Sequence, residues 1–208
     1  MDRTQVAIVV PAFNESRRLT DNLLTLLSYL QTFRPNAELI VVDDGSTDGT
    51  AEVAEALFAR RPDVDARVLR SARNRGKGHA VRAGLLAARA PIVLFSDADL
   101  STPITELPKI VEPIDAGECD VVFGSRALDR SLIGQRQPWR REQGGKVFNG
   151  IVRLLTGLPF SDTQCGFKAF RMEAARPVIE QAQIDGFGFD VELLFLAQRA
   201  GLRLLEVP

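Results

Sequence analysis

Short apolar runs alternate with stretches of helical spacing in the first half of the chain. Runs at 6–10, 38–42 and 91–96 have the length of buried strands. Leucines recur at helical intervals from Leu19 to Leu30, and an alanine-rich stretch occupies 51–59. This order of elements predicts right-handed crossovers and a mainly parallel, Rossmann-like α/β sheet flanked by helices on both faces.

Two carboxylates, Asp97 and Asp99, directly follow the third apolar run. Ligands of open parallel sheets gather at the carboxyl ends of the strands, so these acids lie where a site is expected. Because side chains alternate along a strand, we expect both acids to share a face while the extended backbone lasts. Two hard oxygen ligands suit Mg²⁺ or Mn²⁺ completed by substrate phosphates. The alternative is a solvated turn, since Asp-x-Asp is short and common.

Polar clusters also follow the other two runs, as PAFNE after 6–10 and DDGS after 38–42. The segment NRGKGH at 74–79 precedes a predicted helix at 80–89. Its glycines allow close approach to an anion, and a helix N-terminus supplies N–H groups, so the segment indicates a phosphate site. It lacks the Walker A spacing, and no Gly-x-Gly-x-x-Gly follows the first run, which argues against P-loop ATPases and dinucleotide oxidoreductases.

Composition fits one globular domain. The 208 residues are 45% hydrophobic and 25% charged, and the net charge of −1 argues against nucleic-acid partners. Cys119 and Cys165 are widely separated, which favours reduced thiols over a disulfide or a metal site. The single histidine, His79, argues against Ser-His-Asp catalysis. We find no apolar run of membrane-spanning length and no signal peptide, and expect a cytoplasmic protein.

A basic, glycine-rich stretch interrupts the alternation at 124–146. Its basic residues are Arg126, Arg130, Arg136, Arg140, Arg141 and Lys146. Guanidinium forks match phosphate oxygens, so one interpretation is a phosphate-binding loop at the mouth of the site. The other interpretation is a solvated basic loop, because most charge runs lie at the surface.

Seven segments in sequence order resemble the family 2 inverting glycosyltransferases with the GT-A fold. They are VVPAFNE, IVVDDGSTDGT, NRGKGHAVRAG, FSDADLST, VFGSR, DTQCGFKAF and FDVELL. The pair DTQCGFK and FDVELL is most similar to the members that move glucose from UDP-glucose to a dolichyl-type polyprenyl phosphate, although His79, Leu100 and Ser101 depart from their pattern. The resemblance implies one GT-A domain over 1–208, with a nucleotide-sugar-binding half at 1–102 and an acceptor-binding half at 103–208.

The resemblance also implies a nucleotide-sugar donor site at the ends of the first strands. The residues implied for the nucleoside pocket are Pro11, Ala12, Glu15, Asp43 and Asp44. A carboxylate can accept the uracil N–H in a strong charge-assisted bond, which is the role implied for Asp44. Asp43 to Ser46 also reads as a β-turn before a capped helix, and both interpretations can hold.

Three further donor-site roles follow from the same resemblance. Lys77 is implied at the ribose or diphosphate, and Asp97 at the nucleoside side of the donor. Asp99, with Asp97, is implied to bind the Mg²⁺ or Mn²⁺ that bridges the two phosphates. Such a metal stabilises charge on the departing UDP without a proton donor.

For the acceptor side, the resemblance implies an acid of the second half near the reacting centre. We favour Asp162, with Gln164 beside it, and then Asp190; Glu192 is a further candidate. Asp190 and Glu192 also lie where acids cap a helix and favour its dipole, and this alternative has equal weight. A phosphate acceptor is already anionic, so a strong base is unnecessary. Arg126 with Arg140 or Arg141 would clamp that lipid phosphate.

Family members continue beyond the point that corresponds to residue 208, so the resemblance predicts either a short enzyme or one truncated at its C-terminus. Membrane contact is expected to be peripheral, at the cytoplasmic face, through the basic stretch at 124–146. Two other functions stay open: a transferase that uses GDP-mannose or a saccharide acceptor, and a non-catalytic nucleotide-sugar-binding domain. The sequence gives no indication of the oligomeric state.

Overall fold

A seven-stranded sheet is the centre of the fold in a computed structural model that describes residues 5–125, 127–128, 150 and 152–208. Its strands are β1 (Val6–Ala12), β2 (Glu38–Asp43), β3 (Asp65–Arg70), β4 (Ile92–Ser96), β5 (Val121–Gly124), β6 (Phe167–Arg171) and β7 (Leu204–Val207). They lie in the order β3-β2-β1-β4-β6-β5-β7. The apolar runs predicted as strands are β1, β2 and β4, which are neighbours in the sheet.

Helices cover both faces of the sheet, as the alternating pattern predicts. They are α1 (Ser16–Phe33), α2 (Thr50–Ala59), α3 (Lys77–Ala87), α4 (Leu107–Asp115), α5 (Met172–Gln181) and α6 (Phe189–Arg199). Within β1, Ile8 and Val10 pack in the core under α1, α2 and α4, whereas Ala7 and Val9 pack under α3, α5 and α6. The leucine repeat of α1 is fully buried, which confirms its assignment to the core.

One strand departs from the strict parallel pattern. β1, β2, β3 and β4 are parallel to their neighbours in that group, but β6 runs antiparallel to both β4 and β5. β5 ends at the carboxyl edge, and β6 begins at that same edge, where Phe167 pairs with Ser96. A parallel strand would need a crossover back to the opposite edge. The sheet is therefore mainly parallel, as expected, with one reversed interior strand.

Two smaller expectations concern thiols and membranes. Cys119 and Cys165 are both buried, and each is a thiol rather than half of a disulfide. None of the helices in the described part of the chain combines the length and apolar character needed to cross a lipid bilayer.

Candidate active site

The loops after β1 and β2 are joined to each other by hydrogen bonds at the carboxyl edge of the sheet. The Asn14 N–H donates to Ser46 Oγ at 2.9 Å, and the Thr47 N–H donates to Asn14 Oδ1 at 3.0 Å. The Glu15 N–H donates to Thr50 Oγ1 at 2.9 Å. The two loops therefore form one rigid rim beside the predicted nucleoside pocket.

Asp48 anchors this rim and is not among the predicted site residues. Its carboxylate accepts hydrogen bonds from the Ser16 N–H at 3.1 Å and from the Thr50 hydroxyl at 2.5 Å. The hydrogen bond from Thr50 is the main cause that lowers the pKa of Asp48 to about 2. Its position in DGSTDGT, just before the buried Thr50, is the only sequence signal for this role.

Asp43 and Asp44 are buried at the end of β2 and bind backbone groups. The Ser46 N–H donates to the Asp43 carboxylate at 3.3 Å, but the capped helix predicted to follow is wrong, because α2 begins at Thr50 and its N-cap, Gly49, has no side-chain cap hydrogen bond. Asp44 accepts from the Arg75 N–H at 3.1 Å and from the Gly76 N–H at 2.7 Å. Asp44 therefore holds the segment before α3 against the end of β2. Its predicted contact with uracil stays a prediction.

The other residues predicted for the nucleoside pocket lie beside this rim. Pro11 and Ala12 are buried at the end of β1. Glu15 directly precedes α1, and its carboxylate pairs with Arg18, with Arg18 Nη2 at 2.9 Å from Glu15 Oε1. The structure brings these residues to the same edge of the sheet as Asp44. The carboxylate of Glu15 already has a cationic partner there, Arg18.

The phosphate interpretation of 74–79 is wrong in one respect, because the Gly78 and His79 N–H groups in the first turn of α3 already donate to the Asp185 carbonyl. α3 begins at Lys77 rather than at Ala80, and the Gly78 N–H donates to the Asp185 carbonyl at 2.8 Å. A Cβ at Gly78 would overlap the Ile184 carbonyl. The glycine permits close approach of another segment of the chain, and that segment occupies the place expected for an anion.

Lys77 reaches from the first turn of α3 to the turn after β4. Its Nζ lies 2.5 Å from Asp97 Oδ1 and 5.8 Å from the centroid of the Phe189 ring. Both partners of the ion pair remain partly exposed, at 27% for Lys77 and 30% for Asp97. The structure thus joins two residues that the sequence assigned separately to the donor.

The expectation that Asp97 and Asp99 share a strand face is wrong, because β4 ends at Ser96. The Leu100 N–H donates to the Asp97 carbonyl at 3.0 Å and closes a turn. Asp99 is exposed on this turn, and its Oδ1 accepts from the Ser101 N–H at 2.9 Å. Asn22 of α1 holds the same turn through a 2.7 Å bond to the Ala98 carbonyl.

Gly166 makes room for Asp97 and was not predicted as a site residue. The Asp97 N–H donates to the Gly166 carbonyl at 3.1 Å, and a Cβ on Gly166 would overlap the Asp97 carboxylate. A small cavity of about 60 Å³ adjoins both residues and is also lined by Thr102 and Gln164. The predicted residue Gln164 therefore lies at the same cavity as Asp97.

Asp162 lies on a short loop that β7 holds in place. The Asp162 N–H donates to Glu206 Oε1 at 2.8 Å, and the Gln164 N–H donates to Asp162 Oδ1 at 3.0 Å. The Ser161 N–H also donates to the Glu206 carboxylate, at 2.9 Å. The predicted pair of Asp162 and Gln164 thus forms one local turn beside the Asp97 cavity.

Asp190, the other predicted catalytic acid, is buried in the first turn of α6. Its Oδ1 lies 2.6 Å from Nζ of Lys168, which is fully buried on β6. Burial raises the pKa of Asp190, and the Lys168 ammonium opposes this rise. The nearby Glu192 accepts from the Gln183 and Ile184 N–H groups at 2.9 and 2.8 Å, which belong to the segment before α6. The alternative that these acids cap the helix is therefore wrong, because the N-cap Gly188 has no side-chain cap hydrogen bond, although both acids lie in the first turn of α6, where the helix dipole favours them.

A larger cavity of about 400 Å³ lies between the segment 69–73 and α3. Val42, Arg75, His79 and Ala83 also line it, and none of the residues predicted for the nucleoside pocket does. Burial is the main cause that lowers the pKa of His79 there. Arg126, Arg140 and Arg141, predicted for the acceptor phosphate, lie outside the described residues. Among the described residues, no three or more His, Cys, Asp or Glu side chains form a group suited to a metal.

A mainly parallel sheet with helices on both faces and carboxylates in the turn after a central strand is the arrangement of the GT-A glycosyltransferases. The chain belongs to glycosyl transferase family 2, whose family model matches residues 7–178.

Several curated relatives resemble nearly all of this chain. Dolichyl-phosphate beta-glucosyltransferase of Dictyostelium discoideum is 33% identical over 100% of this chain, which covers 66% of that relative. The Homo sapiens protein of the same name is 34% identical over 98% of this chain, with 66% of its own length covered. Glycosyltransferase AglD of Haloferax volcanii is 34% identical over 98% of this chain and 32% of its own length. The chain therefore spans at most 66% of these three relatives.

Solved structures with the same fold include two transferases. Glucosyl-3-phosphoglycerate synthase from Mycobacterium tuberculosis, in complex with phosphoglyceric acid, has a TM-score of 0.72 and 26% identity, covering 98% of this chain and 69% of that one. The same enzyme with Mn²⁺, UDP and phosphoglyceric acid has a TM-score of 0.70 at 25% identity, covering 98% and 68%. Mannosyltransferase PcManGT from Pyrobaculum calidifontis, with GDP-Man and Mn²⁺, has a TM-score of 0.68 at 22% identity, covering 99% and 55%, and shares the fold.

Proposed function

We propose that this chain is the catalytic part of an inverting hexosyltransferase that moves glucose from UDP-glucose to a dolichyl-type polyprenyl phosphate. The observation that carries the proposal is the similarity to dolichyl-phosphate beta-glucosyltransferases over 98 to 100% of the chain. The structural support is the group of Lys77, Asp97, Asp99 and Gln164 at the carboxyl edge, where open α/β sheets bind ligands.

The donor would lie across the ends of β1, β2 and β4. In this arrangement, the rim formed by Asn14 and Ser46 borders the nucleoside, and Asp44 contacts the uracil edge while it holds the Arg75 and Gly76 N–H groups. Lys77 would exchange part of its contact with Asp97 for the donor diphosphate. A charge-assisted contact of this kind strengthens in a partly dry site.

A divalent metal, Mg²⁺ or Mn²⁺, fits the turn that carries Asp97 and Asp99. Both ligand candidates are hard carboxylates on one turn, and the Ser101 N–H orients Asp99. Mg²⁺ and Mn²⁺ complete such a pair with water and substrate phosphate, which agrees with the lack of a third protein ligand among the described residues. When bound, the ion would neutralise charge that develops on the departing UDP.

The acceptor would approach from the side of Asp162 and Gln164. A lipid phosphate is an anionic nucleophile, so its attack requires orientation more than a base. This agrees with the ion pair between Asp190 and Lys168, which leaves Asp190 buried. We assign the phosphate clamp to Arg126 and to Arg140 or Arg141, and peripheral membrane contact at the cytoplasmic face to the basic stretch at 124–146.

A product analysis tests the proposal. The purified protein is incubated with Mn²⁺ or Mg²⁺, a polyprenyl phosphate and one labelled donor at a time: UDP-glucose, UDP-galactose or GDP-mannose. We expect lipid-extractable label from UDP-glucose alone. Label from GDP-mannose would instead identify a mannosyltransferase, and label on an added saccharide would identify the other acceptor class. UDP binding without transfer to any acceptor would identify a non-catalytic domain.

A further inference from the structure

A lysine lies on an interior strand of the sheet, at a buried position of the kind that usually holds an apolar side chain. Lys168 lies on β6 between Phe95 of β4 and Phe123 of β5, and its side chain is 0% exposed. A buried ammonium group is strongly unfavourable unless it is paired and hydrogen-bonded. Its partners therefore indicate what the buried charge holds in place.

Lys168 has two polar partners and one aromatic neighbour. Its Nζ lies 2.6 Å from Asp190 Oδ1 and 2.5 Å from the Cys165 carbonyl oxygen. The Phe95 ring centroid lies 5.4 Å away. The single ammonium group thus connects α6, β4 and the loop before β6.

Both polar partners lead to Asp97. Cys165 precedes Gly166, whose carbonyl accepts the Asp97 N–H at 3.1 Å and whose missing side chain leaves space for the Asp97 carboxylate. The other partner, Asp190, holds the first turn of α6, where the adjacent Phe189 ring has its centroid 5.8 Å from Nζ of Lys77, and Lys77 in turn pairs with Asp97. Lys168 is therefore connected to Asp97 by two routes, one through Cys165 and Gly166 and one through the first turn of α6 and Lys77.

We propose that Lys168 is a positioning residue of the donor site, which fixes Asp97 through the Cys165–Gly166 backbone and Lys77 through Asp190. The inference rests on the proposed function, because it concerns the same donor and metal site. It gives Asp190 a different part from the catalytic one expected from the sequence. In this proposal the buried acid pairs with Lys168 to anchor the first turn of α6 and does not contact the acceptor.

The test compares Lys168→Met with Arg171→Met on the same strand. Arg171 pairs with the buried Asp120, but it lies opposite Ile92 at the far end of β4 from the site. Thermal unfolding is measured first, and Mn²⁺ and UDP affinities are then measured by calorimetry on folded protein. We expect Lys168→Met to weaken Mn²⁺-dependent UDP binding by about tenfold or more. Arg171→Met should lose stability and keep that affinity.

A double variant separates positioning from simple loss of stability. Lys168→Met alone leaves Asp190 as an unpaired buried charge, whereas Lys168→Met with Asp190→Leu replaces the pair by apolar groups and should regain stability. We expect its UDP affinity to stay weak. Affinity equal to that of the unmodified protein, in either folded variant, would overturn the inference. If the unmodified protein itself does not bind UDP with Mn²⁺, the proposed function fails instead.

Discussion

Lys77 and Asp97 form an ion pair, with 2.5 Å between Nζ and Oδ1, that joins the first turn of α3 to the turn after β4. Partly exposed pairs add little to stability, so loss of this pair should leave the fold intact. In the proposed complex, the lysine charge is available to the donor diphosphate while Asp97 keeps it oriented. The first prediction follows from this contact.

Lys77→Met should weaken UDP binding with little effect on folding. Loss of a hydrogen bond to a charged group costs about 1.5–3 kcal/mol, or roughly ten- to a hundredfold in affinity. Calorimetry with UDP gives the affinity, and thermal unfolding gives the stability. The matched control is Lys109→Met, which removes an exposed lysine of α4 and its ion pair with Glu106. This variant should bind UDP normally. Equal UDP affinities for both variants would exclude Lys77 from the diphosphate site.

Asp99→Ala should abolish transfer and weaken Mn²⁺-dependent UDP binding, since Asp99 is the exposed carboxylate proposed for the metal. A chelator added to the unmodified protein should reproduce the loss, because it removes the ion that Asp99 is proposed to bind. Glu180→Ala, an exposed acid on α5, serves as the control. Full activity in excess chelator would contradict the metal assignment.

Asp44→Asn should weaken binding of UDP more than binding of pyrophosphate. The substitution removes the charge that holds the Arg75 and Gly76 N–H groups and that would accept the uracil N–H. A lost buried hydrogen bond to a charged group costs about 1.5–3 kcal/mol. Competition calorimetry with the two ligands makes the comparison. If both weaken equally, Asp44 acts only by holding the segment before α3.

Two carboxylates with depressed pKa values should control how the free energy of unfolding decreases at acid pH. The hydrogen bond from Thr50 lowers the pKa of Asp48 from 3.8 to about 2, and that from Arg203 does the same for Asp120. Stability from such groups is fully present above the unfolded pKa and is lost as the pH falls through the folded pKa.

Urea unfolding should therefore become easier as the pH falls from about 4 to about 2. The Asp120→Asn variant should be less stable at neutral pH, and its free energy of unfolding should change less between about pH 4 and about pH 2. Adding Asp48→Asn should reduce that change with pH further. An unchanged pH dependence in the double variant would show that other carboxylates control acid unfolding.

The sequence predicts the first half of the fold well because its strands are buried on both faces. β1, β2 and β4 are continuous apolar runs, and the leucines of α1 repeat on one face. β3, with the sequence DARVLR, is a partly exposed edge strand whose charged residues hide its pattern. The reversal of β6 has no local signal, because the direction of a strand depends on where the chain enters the sheet.

The sequence predicts that several polar residues gather at the carboxyl edge of the sheet, but it does not predict their contacts. Asp97 and Lys77 were both assigned to the donor, but their ion pair joins separate elements of the chain. The glycines before α3 look like an anion loop, and only the fold shows that the Asp185 carbonyl occupies that place. The partner of Asp190 lies 22 positions away on another element, so its buried state could not be inferred from its own neighbours.

The anomeric configuration of the lipid product tests the central claim most directly. UDP-glucose carries an α-linked glucose, so one in-line displacement by a lipid phosphate must invert that carbon. The protein is incubated with UDP-glucose, Mn²⁺ and a short-chain polyprenyl phosphate, and the extracted lipid is examined by proton NMR. We predict a β-glucosyl phosphate lipid. An α-linked product, or glucose transferred to an acceptor other than the phosphate, would contradict the account.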